Sequence, residues 1–422
     1  MPLIILLLAL FATTVVAQQP AIHNVSGISL DSSPSCSLPC FTIGLNQTDC
    51  AANDQKCLCG NQGYIKFVEG CLLMSCPLKH ALDTQNITWA ACDFPYTEND
   101  PTRKVTRIVL FVILPSLSII LRFITKFAGI STWGLDDYSI LLAYFLLTAY
   151  VSLHFFLEDN GAGQDLWSLT DHQINNFFKG FYALQTLYHS CIDVIKASIL
   201  FMYLRIFHLP DEKVRVVLWA TQVVNLLCGL IYIFIGLFQC QPIHLAWTFW
   251  TGETMGKCMD ITKLGLSHAG INIGLDVWML ILAGTQVWGM NLALRKKLAI
   301  MAMFSLGLFL TIVSIIRITA IFEFKKSPMN PTVAMMPSVV WTDIELYVGI
   351  FTACIPNLRQ FFNAFILRKT EKRKRLNSAV SGDKDLPFTP RRATITQQLS
   401  EIDNMEDDRE QPPKALFGAH HV

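Results

Sequence analysis

The sequence is short of charge. Lys, Arg, Asp and Glu make up 15% of it, and 33 basic residues against 32 acidic ones leave a formal net charge of +1. A nucleic-acid binder needs a basic patch or stripe. No phosphate-cradling glycine loop, zinc-finger spacing or basic and aromatic interleaving is present either. No nucleic-acid partner is expected. Histidines lack pattern too: His154, His172, His189, His208, His244 and His268 stand singly. They show no metal-ligand spacing, and no nucleophile-and-base motif accompanies them, so the chain is not expected to be an enzyme. Cysteine is scarce beyond residue 92, where only Cys191, Cys228, Cys240, Cys258 and Cys354 occur.

Apolar bulk is abundant. Over 422 residues 52% are hydrophobic and the mean hydropathy is +0.41, more than one soluble core uses. Seven apolar blocks follow Pro101, at 105–123, 138–157, 181–207, 214–238, 264–283, 298–324 and 341–366. Each is long enough for a tilted helix at about 1.5 Å per residue. Pro115 and Pro356 fall inside the first and last, where a bundle can satisfy the freed carbonyls again.

Residues 1–17 read as a signal peptide, with a nine-residue apolar run too short to span about 30 Å of hydrocarbon and cleavage expected after Ala17. The segment that follows holds eight cysteines between Cys36 and Cys92, and all three N-x-Ser/Thr sequons, at Asn24, Asn46 and Asn86. Both features belong to an oxidising, extracellular setting. Charge supports the same orientation. Fourteen Lys and Arg flank the inner ends of the blocks (Arg122, Lys126, Arg205, Lys213, Arg215, Arg295 to Lys297, and Arg368, Lys369 and Lys372 to Arg375), against eight on the outer side. Arg103, Lys104 and Arg107 run against the trend. The expectation is a multi-pass plasma-membrane protein with its amino terminus outside and its carboxyl terminus inside. The polar tail, 367–422, is expected to be disordered cytoplasm, with basic Lys372 to Arg375 against anionic lipid.

A domain of about 60 residues has little core of its own, so Cys36, Cys40, Cys50, Cys57, Cys59, Cys71, Cys76 and Cys92 are expected to form four disulfides. Spacing leaves 105 connectivities open. Cys240 and Cys258 are expected to bond to each other. The cysteine spacing, with Cys57-Leu-Cys59 at its centre and Pro34 two residues before Cys36, resembles the CFEM domain of fungal extracellular and membrane proteins over residues 31–95. Some CFEM domains bind haem through an aspartate three residues before the Cys-x-Cys pair. The resemblance therefore implies haem as a cofactor and Asp54 as its axial iron ligand, a hard carboxylate suited to ferric iron. The same residue can instead cap or turn a short helix.

Residues 103–366 resemble the rhodopsin-like integral membrane domain of fungal surface-sensing receptors. The stretches that carry the likeness are Lys196 to Phe207, Phe238-Gln-Cys240-Gln-Pro242 with Trp247 and Cys258, Arg295-Lys-Lys-Leu-Ala, and Ala353-Cys354-Ile-Pro356-Asn-Leu-Arg359. The resemblance implies a receptor that meets an extracellular ligand or host surface and signals through the bundle, with a link to pathogenicity. It also implies coupling to a heterotrimeric G protein, although Tyr203-Leu-Arg205 and Ile355-Pro356-Asn357 stand where the usual activation motifs would be. The alternatives are a membrane-tethered haem or iron binder and a virulence effector that suppresses host immunity. A retinal pigment is disfavoured because the seventh block has no lysine for a Schiff base.

Six polar residues within the blocks stand out: Asp193 and Lys196, spaced to pair with each other on one helix face, Asn272 and Asp276, Arg317, and Glu345. Ionisable groups at mid-membrane cost about 2.5–3.5 kcal/mol or more, so these are the candidates for a ligand cavity or a switch. The expected architecture is all-α. It comprises a signal peptide (1–17), a linker (18–30), a small disulfide-rich helical CFEM ectodomain (31–95), a seven-helix bundle (103–366) and the tail (367–422).

Overall fold

The structure, a computed structural model, describes residues 34–97, 112–206, 212–288, 294–325, 327–362 and 364. The signal peptide, Asn24, the start of the first apolar block and the polar tail lie outside them.

The amino-terminal domain is a cluster of four short helices: α1 (Leu38–Leu45), α2 (Gln55–Gly60), α3 (Gln62–Ser75) and α4 (Leu78–Ala91). Side-chain caps separate them. Asp54 Oδ1 accepts the Cys57 N–H at the start of α2, and Asn61 Oδ1 accepts those of Gly63 and Tyr64 at the start of α3. Each satisfies amides that a helix start leaves without partners. Cys40, Val68, Leu72, Ala81 and Leu82 form the small apolar centre. Bonds Cys36–Cys76 and Cys40–Cys71 pin α1 to α3, Cys50–Cys57 closes the turn before α2, and Cys59–Cys92 ties α2 to the end of α4.

The remainder is long helices: α5 (Leu114–Phe127), α6 (Leu135–Asp159), α7 (Asp171–Ile206), α8 (Glu212–Leu237), α10 (Ile261–Trp288), α11 (Leu294–Lys325) and α13 (Met336–Phe361). Short α9 (Leu245–Thr248) precedes α10, and α12 (Pro331–Ala334) leads into α13. Among the described residues six helical segments, in α6, α7, α8, α10, α11 and the run from α12 through α13, are long and apolar enough to cross a membrane. The fold is all-α and the protein is multi-pass. The one sheet among the described residues pairs β1 (Cys240–Gln241) with β2 (Lys257–Cys258), antiparallel, with Cys240 bonded to Cys258.

Helices α7 and α13 are mostly buried, whereas α6, α8, α10 and α11 present rows of apolar side chains outward, such as Leu141 and Phe145 or Val223, Leu227 and Ile231. That distribution suits a bundle in lipid, where the outward surface is as apolar as the core. Helix α7 begins ten residues before its apolar block, with a mixed stretch at 171–180 whose Ile174, Phe177 and Phe178 are buried. Residues 120–133 and the described residues from 354 onward form a compact unit of their own. Within it Lys126 Nζ donates to the Thr132 carbonyl at 2.8 Å, and Phe123 and Phe127 pack on Trp133.

Candidate functional site: a buried polar network beneath the cysteine-rich domain

Four helices bring charge to the interior of the bundle. Lys196 on α7 lies 2.8 Å from Asp276 on α10 and donates to the Asn272 carbonyl at 2.7 Å. Asp193 is not its partner. Although i, i+3 spacing leaves both residues on one side of α7, the Asp193 carboxyl lies against α8 at Gly229, where a Cβ would collide with it. Asn225 Nδ2 donates to the Asp193 backbone carbonyl at 3.0 Å. The long lysine stem instead reaches α10. A one-turn pairing rule cannot see that choice, because a helix inside a bundle meets several neighbours at once.

Arg317 on α11 and Glu345 on α13 form the second pair, Nε to Oε2 at 3.6 Å, and both are almost fully buried. Glu345 is the better served. Its Oε1 accepts Asn272 Nδ2 at 2.6 Å and the Ser314 hydroxyl at 2.5 Å, and its Oε2 accepts the Tyr188 hydroxyl at 3.0 Å. Tyr188 in turn receives Arg317 Nη1. Asn272 thus touches both pairs, and the charges form one network rather than isolated bridges.

Sequence reasoning missed several members. His189 and His268, read as singles, meet with ring centroids 4.2 Å apart, and Tyr188 and Tyr232 pack around them. Asp343, on α13, accepts the Tyr150 hydroxyl at 3.1 Å and lies 4.0 Å from His154. The signal available was the density of polar residues on α13, Thr342, Asp343 and Glu345 within four positions of an apolar helix. A cavity of about 130 Å³ opens on the side of this network nearer the cysteine-rich domain, with Tyr188, His189, His268 and Arg317 in its wall.

The cysteine-rich domain sits against the loops at that end. Trp89 of α4 packs at a tilt against Trp167, centroids 4.9 Å apart, and Lys79 Nζ reaches Asp171 at 2.6 Å and lies over the Trp250 ring. The Asp171 carboxylate holds the Lys79 ammonium pKa above its ordinary value. Gly252, at φ 73°, lets its loop pass close to Pro77, whose Cβ would stand 3.1 Å from an added Cβ. Beyond α4, Thr97 donates its N–H to Asp165 Oδ2 at 2.7 Å. Asp165 Oδ1 accepts Asn330 Nδ2 at 2.6 Å, and Asn330 Oδ1 accepts the Leu166 N–H at 3.1 Å and the Thr332 hydroxyl at 2.9 Å. Asn330 directly precedes the run that carries Asp343 and Glu345.

At the other end of α7, Arg205 Nη1 lies 3.1 Å from Asp136 and 3.3 Å from Asp137, both in the first turn of α6. Acidic residues there also face the positive end of the helix dipole. Asp54 is exposed, with Oδ1 engaged by its cap at 3.0 Å. The cap hydrogen bond leaves its Oδ2 unengaged by Cys57. Asn46 and Asn86 are exposed, and Asn86 Oδ1 accepts the Tyr96 hydroxyl at 3.1 Å. Cys191 and Cys228 are free thiols, and Cys191 and Cys354 are buried.

A family model described as the fungal rhodopsin domain matches residues 121–364, more than half of the chain. The chain belongs to the fungal rhodopsin domain family. A CFEM domain model matches residues 29–93, so this member carries a CFEM domain before its bundle. The fungal rhodopsin domain protein is 28% identical over 274 residues to a SAT4 family membrane protein of Emericella nidulans, covering 63% of this chain and 68% of the relative. It is 28% identical over 183 residues to satratoxin biosynthesis SC1 cluster protein 4 of Stachybotrys chartarum, covering 43% and 61%. It is 26% identical over 274 residues to Receptor GIN3 of Arthrobotrys oligospora, covering 63% of each chain. No solved structure matches it.

Proposed function

We propose that this protein is a plasma-membrane receptor whose CFEM domain faces the cell exterior and whose bundle reports an external cue, a host molecule or surface among them, to cytoplasmic partners. The observation that carries the reading is the hydrogen-bonded run Thr97–Asp165–Asn330, which links the chain just after the CFEM domain to the start of the segment bearing Glu345. A cue that favours one placement of the CFEM domain biases the helix that holds the buried network, which is the differential interaction a receptor requires. The likeness to Receptor GIN3 supports the same reading. The Arg205–Asp136 cluster, at the end of α7 away from the CFEM domain, is where we place contact with a heterotrimeric G protein or equivalent partner.

The test is complementation of a deletion strain. Transcript levels after contact with a hard hydrophobic surface should respond with the wild-type chain and lose the response with Asp165→Ala at equal surface abundance. A response that persists in the deletion strain rejects the reading.

A second reading, haem held by Asp54 for iron capture, has one observation in its favour. The cap uses only Oδ1 of an exposed side chain, so a second oxygen is left for iron.

A further inference from the structure

The cavity beside the buried network has the make-up of a small-molecule site. It draws its wall from α6, α7, α10, α11 and α13, and most of that wall is apolar or aromatic, including Phe181, Leu184, Ile261 and Val339. Against this stand a few polar groups, Arg317, His189 and His268 among them, the make-up of a pocket that orients a ligand by its polar end.

Two of those groups have hydrogen-bonding capacity left over. Arg317 is only 4% exposed, and its Nε and Nη2 have no hydrogen-bond partner, while Nη1 serves Tyr188. His189 is 2% exposed and its Nδ1 has none. A guanidinium in an apolar interior is unfavourable unless its donors are met. Arginine donates only, so what completes it must be an acceptor. The charge of that acceptor is constrained as well. Glu345 already stands 3.6 Å from Arg317, and Lys196 is matched by Asp276 at 2.8 Å. An anion entering here would add a charge without a counter-ion in a low-dielectric space.

We propose that this cavity binds a small, mainly apolar and uncharged molecule that presents a carbonyl oxygen, as an ester, lactone or ketone, to Arg317. The apolar body lies along Phe181, Leu184 and Val339, and the oxygen takes the guanidinium donors that the protein leaves unused. This rests on the receptor reading for its biological meaning, since it names a ligand for the bundle in addition to the cue met by the CFEM domain.

The test uses the full chain in lipid nanodiscs with three probes that share a ten-carbon chain: methyl decanoate, decanoic acid and decane. Retained probe is measured by mass spectrometry against empty nanodiscs. Methyl decanoate should bind saturably at one per chain and at least about tenfold more tightly than decane, as a charge-assisted hydrogen bond implies. Arg317→Met should remove that preference, and Ser338→Phe, which fills the cavity without touching the charges, should abolish retention. Ser338→Phe keeps the test decisive if Arg317→Met does not assemble. The assignment is overturned by methyl decanoate retention no higher than in empty nanodiscs, by decane binding as well as the ester, by the acid binding more tightly than the ester, or by unchanged retention in Ser338→Phe. None of these readouts involves signalling. A chain that fails them yet loses its response in Asp165→Ala rejects the cavity ligand and leaves the receptor reading standing.

Discussion

Lys196 and Asp276 meet at 2.8 Å between α7 and α10, and both are buried. Removing one member of such a pair leaves an uncompensated charge and costs about 3–5 kcal/mol, whereas replacing both by apolar residues of similar size is near neutral. Lys196→Met or Asp276→Leu alone should therefore sharply lower the thermal stability of the detergent-solubilised chain. The double variant should regain most of it. Asp193→Asn should leave this pair unaffected, so a cycle in which Asp193 rather than Asp276 couples to Lys196 contradicts the geometry.

Glu345 should behave differently, because it holds more than a counter-ion. Glu345→Ala strands Arg317 together with donors from Asn272, Ser314 and Tyr188. Its cost should exceed that of Lys196→Met. Adding Arg317→Ala should recover only part of the loss, because three neutral donors still lack their acceptor. A double-mutant cycle on melting temperature measures this. Full recovery in the double variant would mean that the ion pair stands alone.

The helices and their membrane character were legible because long apolar runs leave few alternatives once a chain must satisfy its backbone in lipid. Less could be read about who meets whom. Spacing along α7 suggests Asp193 for Lys196, but the choice depends on which neighbouring helix each side chain faces, a tertiary fact. His189 and His268 lie 79 positions apart and touch only because α7 and α10 pack at that level. The Asp165–Asn330 link joins two loops, and loops carry no periodicity to betray it. Similarly, the eight CFEM cysteines announce a framework, while their pairing follows from helix positions that spacing does not encode.

The CFEM domain should lose stability as pH rises through and above the usual carboxylate range. Burial raises the pKa of the Glu69 carboxyl, with Gln85 Nε2, donating at 3.1 Å, and Lys66 only partly opposing it. A folded-state value above the unfolded one means that the folded domain favours the protonated form. The contribution is complete below the unfolded pKa of about 4.3 and is lost as pH rises through the folded value. Hydrogen exchange of residues 62–75 in the full chain, corrected for intrinsic rates, should show protection falling over that window. In Glu69→Gln it should stay flat, and an equal slope in both chains would assign the effect to other groups.

Asp54 allows its two roles to be separated by a single substitution. As the cap of α2 it accepts the Cys57 N–H at 3.0 Å, and loss of such a cap costs about 1 kcal/mol. Asparagine caps about as well as aspartate, but its neutral amide oxygen is a poor ligand for ferric iron beside a carboxylate. Asp54→Ala should therefore weaken protection of α2 in hydrogen exchange, and Asp54→Asn should preserve it. If Asp54 also binds haem iron, a Soret band that appears when hemin is added to the wild-type chain should be lost in both variants. A band retained in Asp54→Asn leaves the residue with the cap alone, and the exchange data from the same sample show whether that cap was intact when the measurement was made.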